Sequence, residues 1–166
     1  IPSYAETIAS TQLPTGGVVA SGAATIASSA AQMTVNQSTQ KAIINWNSFN
    51  VGSQAGVTFK QPNASSKTLN RVIGGEASQI LGKITANGQV FLINPNGIVF
   101  GAGSQVNAAG LVASTMDITD ENFQNNKYQF DRNGATGSIV NQGTLTAMPG
   151  GYVALLGVNV KNQGTI

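Results

Sequence analysis

Residues 140–145 read Val-Asn-Gln-Gly-Thr-Leu, and residues 161–166 repeat them as Lys-Asn-Gln-Gly-Thr-Ile. The two copies lie 21 residues apart. A looser echo relates residues 84–88, Ile-Thr-Ala-Asn-Gly, to residues 106–111, Val-Asn-Ala-Ala-Gly-Leu. A period of about 20 residues, with small turn residues followed by an aliphatic position, is typical of a parallel β-solenoid. We therefore predict an all-β fold, a right-handed parallel β-helix of about 20–21 residues per coil.

The rest of the chain carries short apolar runs separated by Gly, Asn and Pro, and none of it keeps a convincing helical period. Such runs are typical of strands in a sandwich, a barrel or a solenoid, and the repeat favours the solenoid. Leucine-rich repeats have a similar period but need Leu at fixed positions that this chain does not provide. The predicted strands are Val18–Ile26, Met33–Val35, Ala42–Trp46, Val57–Phe59, Thr68–Ile73, Gln79–Ile84, Gln89–Ile93, Ile98–Phe100, Leu111–Ser114, Tyr128–Phe130 and Tyr152–Leu156.

We expect residues 1–166 to form a single domain. Residues 6–60 would hold an N-terminal β cap and the first strands. Residues 61–166 would hold the coils, with extra-helical strands or hairpins and an excursion near 117–137. Residues 1–5 contain Ser-Tyr-Ala and are interpreted as the remnant of a signal peptide or an added segment. The last repeat is expected to continue into further coils, which would make the chain the N-terminal part of a much longer protein.

The composition argues against several classes of function. Only 8% of the residues are charged, and the formal net charge is +2. The Lys and Arg residues are scattered, so the basic stripe that nucleic-acid binding requires is missing. Without cysteine or histidine the chain has no disulfide scaffold, no thiolate metal site and no Ser-His-Asp triad. We expect no nucleic-acid partner, no small-molecule substrate, no cofactor and no enzymatic activity.

Four of the six carboxylates fall in one stretch, where oxygen ligands could hold Ca²⁺. No Asp-x-Asp-x-Asp-Gly loop is present, and Lys127 and Arg132 lie close enough in sequence to neutralise the acids. We therefore predict a solvated excursion from the solenoid rather than a metal site. A polysaccharide-cleaving β-helix enzyme is the less favoured alternative, because Glu76 is isolated from the other carboxylates. The clustered acids are Asp117, Asp120, Glu121 and Asp131.

The most distinctive segment, Gln89–Gly101, reads Gln-Val-Phe-Leu-Ile-Asn-Pro-Asn-Gly-Ile-Val-Phe-Gly. It consists of two aliphatic strands around a turn. Asn at the first position, Pro at the second and Gly at the fourth are favoured in a type I turn. Pro95 fixes its own φ, and the side chain of Asn94 can bond the backbone of the turn. The segment therefore predicts a corner that folds reliably.

Asn94-Pro95-Asn96-Gly97-Ile98 resembles the NPNGI signature of two-partner-secretion (TPS) domains. These domains open filamentous haemagglutinin, high-molecular-weight adhesins and contact-dependent-inhibition proteins, and they are also called haemagglutination activity domains. The resemblance covers nearly the whole chain in order and spacing. The supporting blocks are Leu13–Gly17, Ile43–Gly52 (with Asn45, Trp46, Phe49, Asn50, Val51 and Gly52), Val57–Phe59, Leu69–Val72, Gly110–Thr115 and Gly151–Leu156.

One block departs from the family pattern. Many members carry a second signature, Asn-Pro-Asn-Leu, after a Val-x-Phe strand. Here that position reads Gln61-Pro62-Asn63-Ala64, which keeps the Pro and the second Asn. This degenerate form is more similar to the adhesin branch than to filamentous haemagglutinin.

The resemblance implies a secretion-targeting domain of a large exported protein. Its partner would be a cognate outer-membrane β-barrel transporter with periplasmic POTRA domains. The chain would reach the periplasm of a Gram-negative bacterium unfolded, and then fold as a monomer outside the cell or at its surface. Residues 94–98 could be a fold-nucleating turn or a transporter contact, and both roles stay open. The alternative is a host-binding adhesin module in its own right.

Overall fold

A computed structural model describes residues 8–166, so the interpretation of residues 1–5 lies outside the described part. The described chain is nearly all β, and its one α-helix has five residues. The elements are β1 (Val18–Ser21), β2 (Ala24–Ser29), β3 (Gln32–Gln37), β4 (Lys41–Trp46), β5 (Gly56–Lys60), β6 (Lys67–Val72), β7 (Ser78–Ile80), β8 (Lys83–Ala86), β9 (Gln89–Ile93), β10 (Ile98–Phe100), β11 (Gln105–Ser114), α1 (Asp120–Gln124), β12 (Ser138–Asn141), β13 (Thr144–Leu156) and β14 (Asn159–Asn162).

The strands from β3 onward wind into a right-handed parallel β-helix with three faces, which confirms the predicted fold. Face A stacks β3, β5, β8 and the first parts of β11 and β13. Face B stacks β4, β6, β9 and the second parts of β11 and β13. Face C stacks β7, β10, β12 and β14. Strands β11 and β13 each turn a corner from face A to face B.

The register confirms both sequence repeats. Val106 in β11 pairs with Ile84 in β8, as the looser echo requires. Asn141 in β12 pairs with Asn162 in β14 across the next coil. The repeat is regular because each coil must bring the chain back to the same face one strand further along the axis. Adjacent strands are about 4.8 Å apart.

The first coil is closed by antiparallel strands. Strand β1 pairs with β4, the first strand of face B, and β2 pairs with β3, the first strand of face A. The first strands of these two faces therefore both have a backbone partner on their outer edge. Leu13, Val19 and Ile26 pack against the core from the same side. Gly17 lies so close to the indole of Trp46 that an added Cβ would sit 2.6 Å from a ring carbon. The cap therefore covers an edge that would otherwise be free to pair with another chain.

Inward side chains of the three faces form one core along the axis. Its largest members include Trp46, Phe49, Phe59 and Phe100, each at most 1% exposed. The rings of Trp46 and Phe49 meet edge to face, with centroids 5.4 Å apart and planes at 85°. Burial of such side chains is the main favourable term in the stability of the fold.

A second apolar cluster lies on the outer surface of face B. Ile43, Leu69, Phe91 and Val112 are register partners in successive coils, and all four point outward. Residues 115–137, which we call the clasp, leave the solenoid after β11 and cover this column with Ile118 and Phe123. The predicted strand Tyr128–Phe130 is wrong, because these residues have no strand partner and pack over the sheet instead.

Two cations from face B hold the clasp. Arg71 donates from Nε to Asp117 at 3.0 Å and from Nη1 to Asp120 at 2.7 Å. Its Nη2 also donates to the backbone carbonyl of Ile118 at 2.6 Å. Burial alone would lower the pKa of Arg71, but its bonds to Asp120 and Asp117 outweigh that effect and raise the pKa overall.

Lys41 binds the end of the short helix. Its ammonium donates to the backbone carbonyl of Gln124 at 2.7 Å and to Oδ1 of Asn126 at 2.5 Å. The sequence-based expectation that Lys127 and Arg132 neutralise the acids is therefore wrong, since Arg71 pairs with two of them. Lys41 and Arg71 lie forty or more residues away from the clasp in sequence. They contact it because their strands, β4 and β6, lie on face B beneath the clasp.

We expect Phe123→Ala to lower the free energy of unfolding by about 3 kcal/mol, the usual cost of emptying a buried Phe site. Phe123 is 0% exposed, and its ring lies edge to face on Phe91 at 5.3 Å. The measurement is urea unfolding followed by the fluorescence of the single Trp46. Phe130→Ala is the matched control, with a smaller loss because Phe130 is only half-buried. An unchanged Trp46 transition in Phe123→Ala would show that the clasp melts separately from the coils.

Candidate functional site

The signature turn forms the corner between faces B and C, where β9 passes to β10. Asn94 is 0% exposed, and its Oδ1 accepts from the backbone N–H of Asn96 at 2.9 Å. Its Nδ2 donates to the carbonyl of Glu76 and to Oγ of Ser78, each at 2.9 Å. The N–H of Gly97 closes the turn by donating to the Asn94 carbonyl at 3.1 Å. The expected side-chain bond to the turn backbone is present, and the same amide also binds the preceding coil.

The remaining signature residues divide into buried and accessible positions. Ile98 is 0% exposed in the core. Gly97 has φ +117, and a Cβ there would lie 3.0 Å from the Ser138 carbonyl. Such a backbone conformation and such a close approach both favour glycine. Pro95 is half-buried and Asn96 is exposed, so these two residues provide the reachable surface of the folded turn.

The degenerate second motif forms a corner between faces A and B. Gln61 is 7% exposed, and its Nε2 donates to Oγ1 of Thr68 and to the carbonyl of Gln89, both at 3.1 Å. Its Oε1 accepts from the N–H of Gly88 at 3.0 Å. The longer side chain of Gln thus spans two coils from the position where many family members carry Asn. Gln61 is a structural cross-link in this fold.

The other residues of this motif lie at the surface. Pro62, Asn63 and Ala64 are exposed. Asn63 exchanges two amide hydrogen bonds with Gln40 of the preceding coil, at 3.1 and 3.2 Å. These two hydrogen bonds link the loop to the preceding coil, and the loop side chains stay exposed.

The supporting block fixes the first coil. Trp46 donates from Nε1 to Oδ1 of Asn70 at 3.0 Å, and Asn70 donates onward to the carbonyl of Phe91 at 3.2 Å. Asn50 accepts the backbone N–H of Gln79 at 2.8 Å. These buried amides connect successive coils through side chains in addition to the strand ladders.

Four further members of the block complete this first coil. Phe49 and Val51 are buried in the core, at 1% and 0% exposure. A Cβ at Gly52 would lie 2.3 Å from the carbonyl oxygen of Ser10, so the cap segment approaches it closely. Asn45 accepts a hydrogen bond from Arg71 at 3.4 Å.

The structure adds one feature that the sequence reasoning missed. An open, mostly apolar cavity of about 410 Å³ lies between the clasp and the outer surface of face B. Burial and the neighbouring Tyr128 raise the pKa of Tyr152 to about 12. Consecutive apolar residues such as Phe91-Leu92-Ile93 were a signal that both surfaces of face B are covered. The cavity is lined by Lys67, Gln89, Phe91, Val112, Tyr128, Phe130, Tyr152, Ala154 and Leu156.

Residues 8–166 contain no helix that is long and apolar enough to cross a membrane. Within the same range, the carboxylates do not gather in the groups of three or more that a metal ion would need.

The sequence model of the TPS secretion domain matches residues 6–166. The chain belongs to the TPS secretion domain family. Among solved structures, the HMW1 secretion domain from Haemophilus influenzae has a TM-score of 0.84 and 37% sequence identity to this chain. The similarity covers 91% of this TPS domain and 41% of that chain. The family assignment and the fold predicted from the sequence are therefore both confirmed.

Two curated relatives are named heme/hemopexin-binding proteins, both from Haemophilus influenzae. The first is 41% identical over 160 residues, which is 93% of this chain and 18% of that protein. The second is 46% identical over 112 residues, which is 68% of this chain and 12% of that protein. The TPS domain thus spans less than a fifth of the length of these relatives.

We expect Asn94→Ala to lower the free energy of unfolding by about 2–3 kcal/mol, because it leaves buried polar groups of the corner without partners. Asn96→Ala, the matched control at the exposed position, should cost no more than about 1 kcal/mol. Urea unfolding of the purified variants measures both values. Equal losses in the two variants would contradict the central role of the buried amide.

Proposed function

We propose that this domain directs the export of a large protein through a cognate outer-membrane β-barrel transporter with periplasmic POTRA domains. The observation that carries the proposal is the family match over residues 6–166, together with the intact signature at 94–98. The exported protein would be secreted from, or displayed on, a Gram-negative bacterium. The names of the two curated relatives favour a haem- or hemopexin-binding protein as the cargo.

The geometry of the signature favours recognition before folding. Asn94, Gly97 and Ile98 are buried once the corner has formed, so a partner of the folded domain reaches only Pro95 and Asn96. An unfolded chain presents all of these residues together with strand-forming segments. Such segments can add to an exposed sheet edge of a POTRA domain through backbone hydrogen bonds.

Folding on the far side of the membrane would oppose return of the chain. Each new coil pairs with the previous one, and the clasp then joins the fourth coil to the first. Gln124 in the clasp donates to Oγ of Ser21 in β1 at 2.8 Å, across 103 residues of sequence. The free energy released by these contacts is available only after residues 115–137 have crossed.

We further propose that the domain is monomeric and has no enzymatic activity, small-molecule substrate or nucleic-acid partner. Asp117 and Asp120 are held in ion pairs with Arg71, which leaves them poorly suited to general acid–base chemistry. Lys41 is similarly occupied by backbone carbonyls of the clasp.

Release into the medium should depend on the transporter when this domain is expressed behind a signal peptide. We expect Pro95→Ala to fold normally, because its side chain makes no polar contact. If the transporter recognises the turn directly, this substitution should lower release at least several-fold. Pro62→Ala, an exposed proline at another corner, is the matched control and should be released like the unmutated domain. Immunoblotting of medium and periplasm measures release, and circular dichroism checks folding. Release without the transporter would contradict the proposal.

The apolar cavity favours a second candidate function, a host-binding adhesin module. Tyr128, Phe130 and Tyr152 offer aromatic surface beside the ammonium of Lys67, which lies 5.9 Å from the Tyr128 ring centroid. Exposed aromatic surface of this kind is a common feature of binding sites.

If the domain is an adhesin, the purified protein should bind epithelial cells, and the double variant Tyr128→Ser with Phe130→Ser should lose that binding. The measurement is flow cytometry with a fluorescently labelled domain. Thr58→Ser on face A, away from the cavity, is the control and should bind like the unmutated protein. Absence of binding by the unmutated domain would leave export as the function.

A further inference from the structure

The chain contains three Asn-Gly dipeptides, at 87–88, 96–97 and 133–134. Asn followed by Gly is prone to deamidation, because glycine has no side chain to hinder attack by its own backbone nitrogen. That nitrogen bonds to the Asn side-chain carbonyl carbon, the bond from that carbon to Nδ2 breaks, and ammonia leaves. Water then opens the resulting succinimide to aspartate or isoaspartate. The reaction needs a free amide nitrogen and a side chain that can rotate towards it.

The fold restrains both partners at the first pair. Oδ1 of Asn87 accepts the backbone N–H of Gln61, and Nδ2 of Asn87 donates to the Gln61 carbonyl, each at 2.7 Å. The N–H of Gly88 donates to Oε1 of the same glutamine at 3.0 Å. One residue of the preceding coil therefore holds the attacking nitrogen and the attacked amide apart.

The signature turn restrains the second pair in a different way. Nδ2 of Asn96 donates to the carbonyl of Gly74 and to Oδ1 of Asn94, each at 3.0 Å. The nitrogen of Gly97 is engaged by the Asn94 carbonyl at 3.1 Å. Asn96 is exposed to water, yet its amide must give up both of these hydrogen bonds before it can turn towards Gly97.

The third pair has no such restraint. Asn133 and Gly134 are both exposed at the tip of the clasp, with φ of 48 and 75. Among residues 8–166, neither the Asn133 side chain nor the Gly134 nitrogen has a hydrogen-bond partner. A Cβ added at Gly134 would meet no atom within 4 Å, so the space around the pair is open. The turn is closed by its flanking residues, since the Ala135 N–H donates to the Arg132 carbonyl at 2.8 Å and Nε of Arg132 donates to the Ala135 carbonyl at 2.9 Å. Neither bond engages Asn133 or Gly134.

We propose that Asn133 is the site of spontaneous deamidation in the folded domain, and that Asn87 and Asn96 become reactive only in the unfolded chain. Modification at Asn133 adds a negative charge beside Asp131 without touching the core. Modification at Asn96 removes the donor to Gly74, and the isoaspartate form also lengthens the backbone inside a tight corner. The chemical integrity of the signature thus depends on how long the chain stays unfolded. The proposal rests on the hydrogen bonds at these corners and not on the proposed export function.

To test this proposal, the purified domain is incubated at physiological pH and temperature, once folded and once unfolded in urea. Peptide mass mapping and enzymatic methylation of isoaspartate then follow the three sites. In the folded domain Asn133 should react at least about tenfold faster than Asn87 and Asn96, since the latter two need local opening of the fold. In urea the three rates should agree within about threefold, because the restraints are lost.

Two variants sharpen the test. Asn133→Ser should abolish most of the isoaspartate formed by the folded domain. Gln61→Ala should speed modification at Asn87 while leaving the rate at Asn133 unchanged, because it frees the nitrogen of Gly88. Similar rates at all three sites in the folded domain would overturn the proposal. A tenfold preference for Asn133 that persists in urea would also overturn it, since the cause would then lie in the local sequence.

Discussion

The fold depends on satisfying backbone groups where the chain turns between faces. Strand ladders pair the backbone along each face, but every corner leaves N–H and C=O groups that need other partners. Buried amide side chains supply them here: Asn94 serves the corner between faces B and C, and Gln61 serves the corner between faces A and B. Asn141 has the same role: its side chain accepts a hydrogen bond from the N–H of Gly143 at 3.0 Å and donates one to Asn162 at 2.9 Å. A chain with 8% charged residues can therefore satisfy its corners with neutral groups.

The clasp changes how this solenoid holds together. In most repeat proteins each coil contacts only its neighbours, so stability is close to a sum of local terms. Here residues 115–137 leave the fourth coil and contact β1, β4 and β6 through Gln124, Lys41 and Arg71. Elements of the fourth coil would thus secure the first coil. This long-range closure links the fourth coil directly to the first, which suits a domain whose folding would prevent return of the chain.

Sequence reasoning predicted what is encoded locally and missed what depends on distant coils. The repeat at Asn141 and Asn162 gave the correct register, and the turn at 94–98 formed as its residue types require. The pairing of Arg71 with the acids was missed because the partners are more than forty residues apart, and the nearer Lys127 and Arg132 were favoured instead. The aromatic cavity was missed for the same reason, since Phe91, Tyr128 and Tyr152 meet only after three coils have stacked.

We propose that the domain crosses the outer membrane unfolded and gains its structure afterwards. The absence of cysteine allows a direct test with Thr85→Cys and Asn107→Cys, which are exposed register partners on adjacent strands. Strands about 4.8 Å apart permit a disulfide. Cross-linking in the periplasm should precede induction of the transporter. The cross-linked domain should stay in the periplasm until a reductant is added, while each single-cysteine variant should be released. Release of the cross-linked domain at the unmutated rate would contradict the proposal.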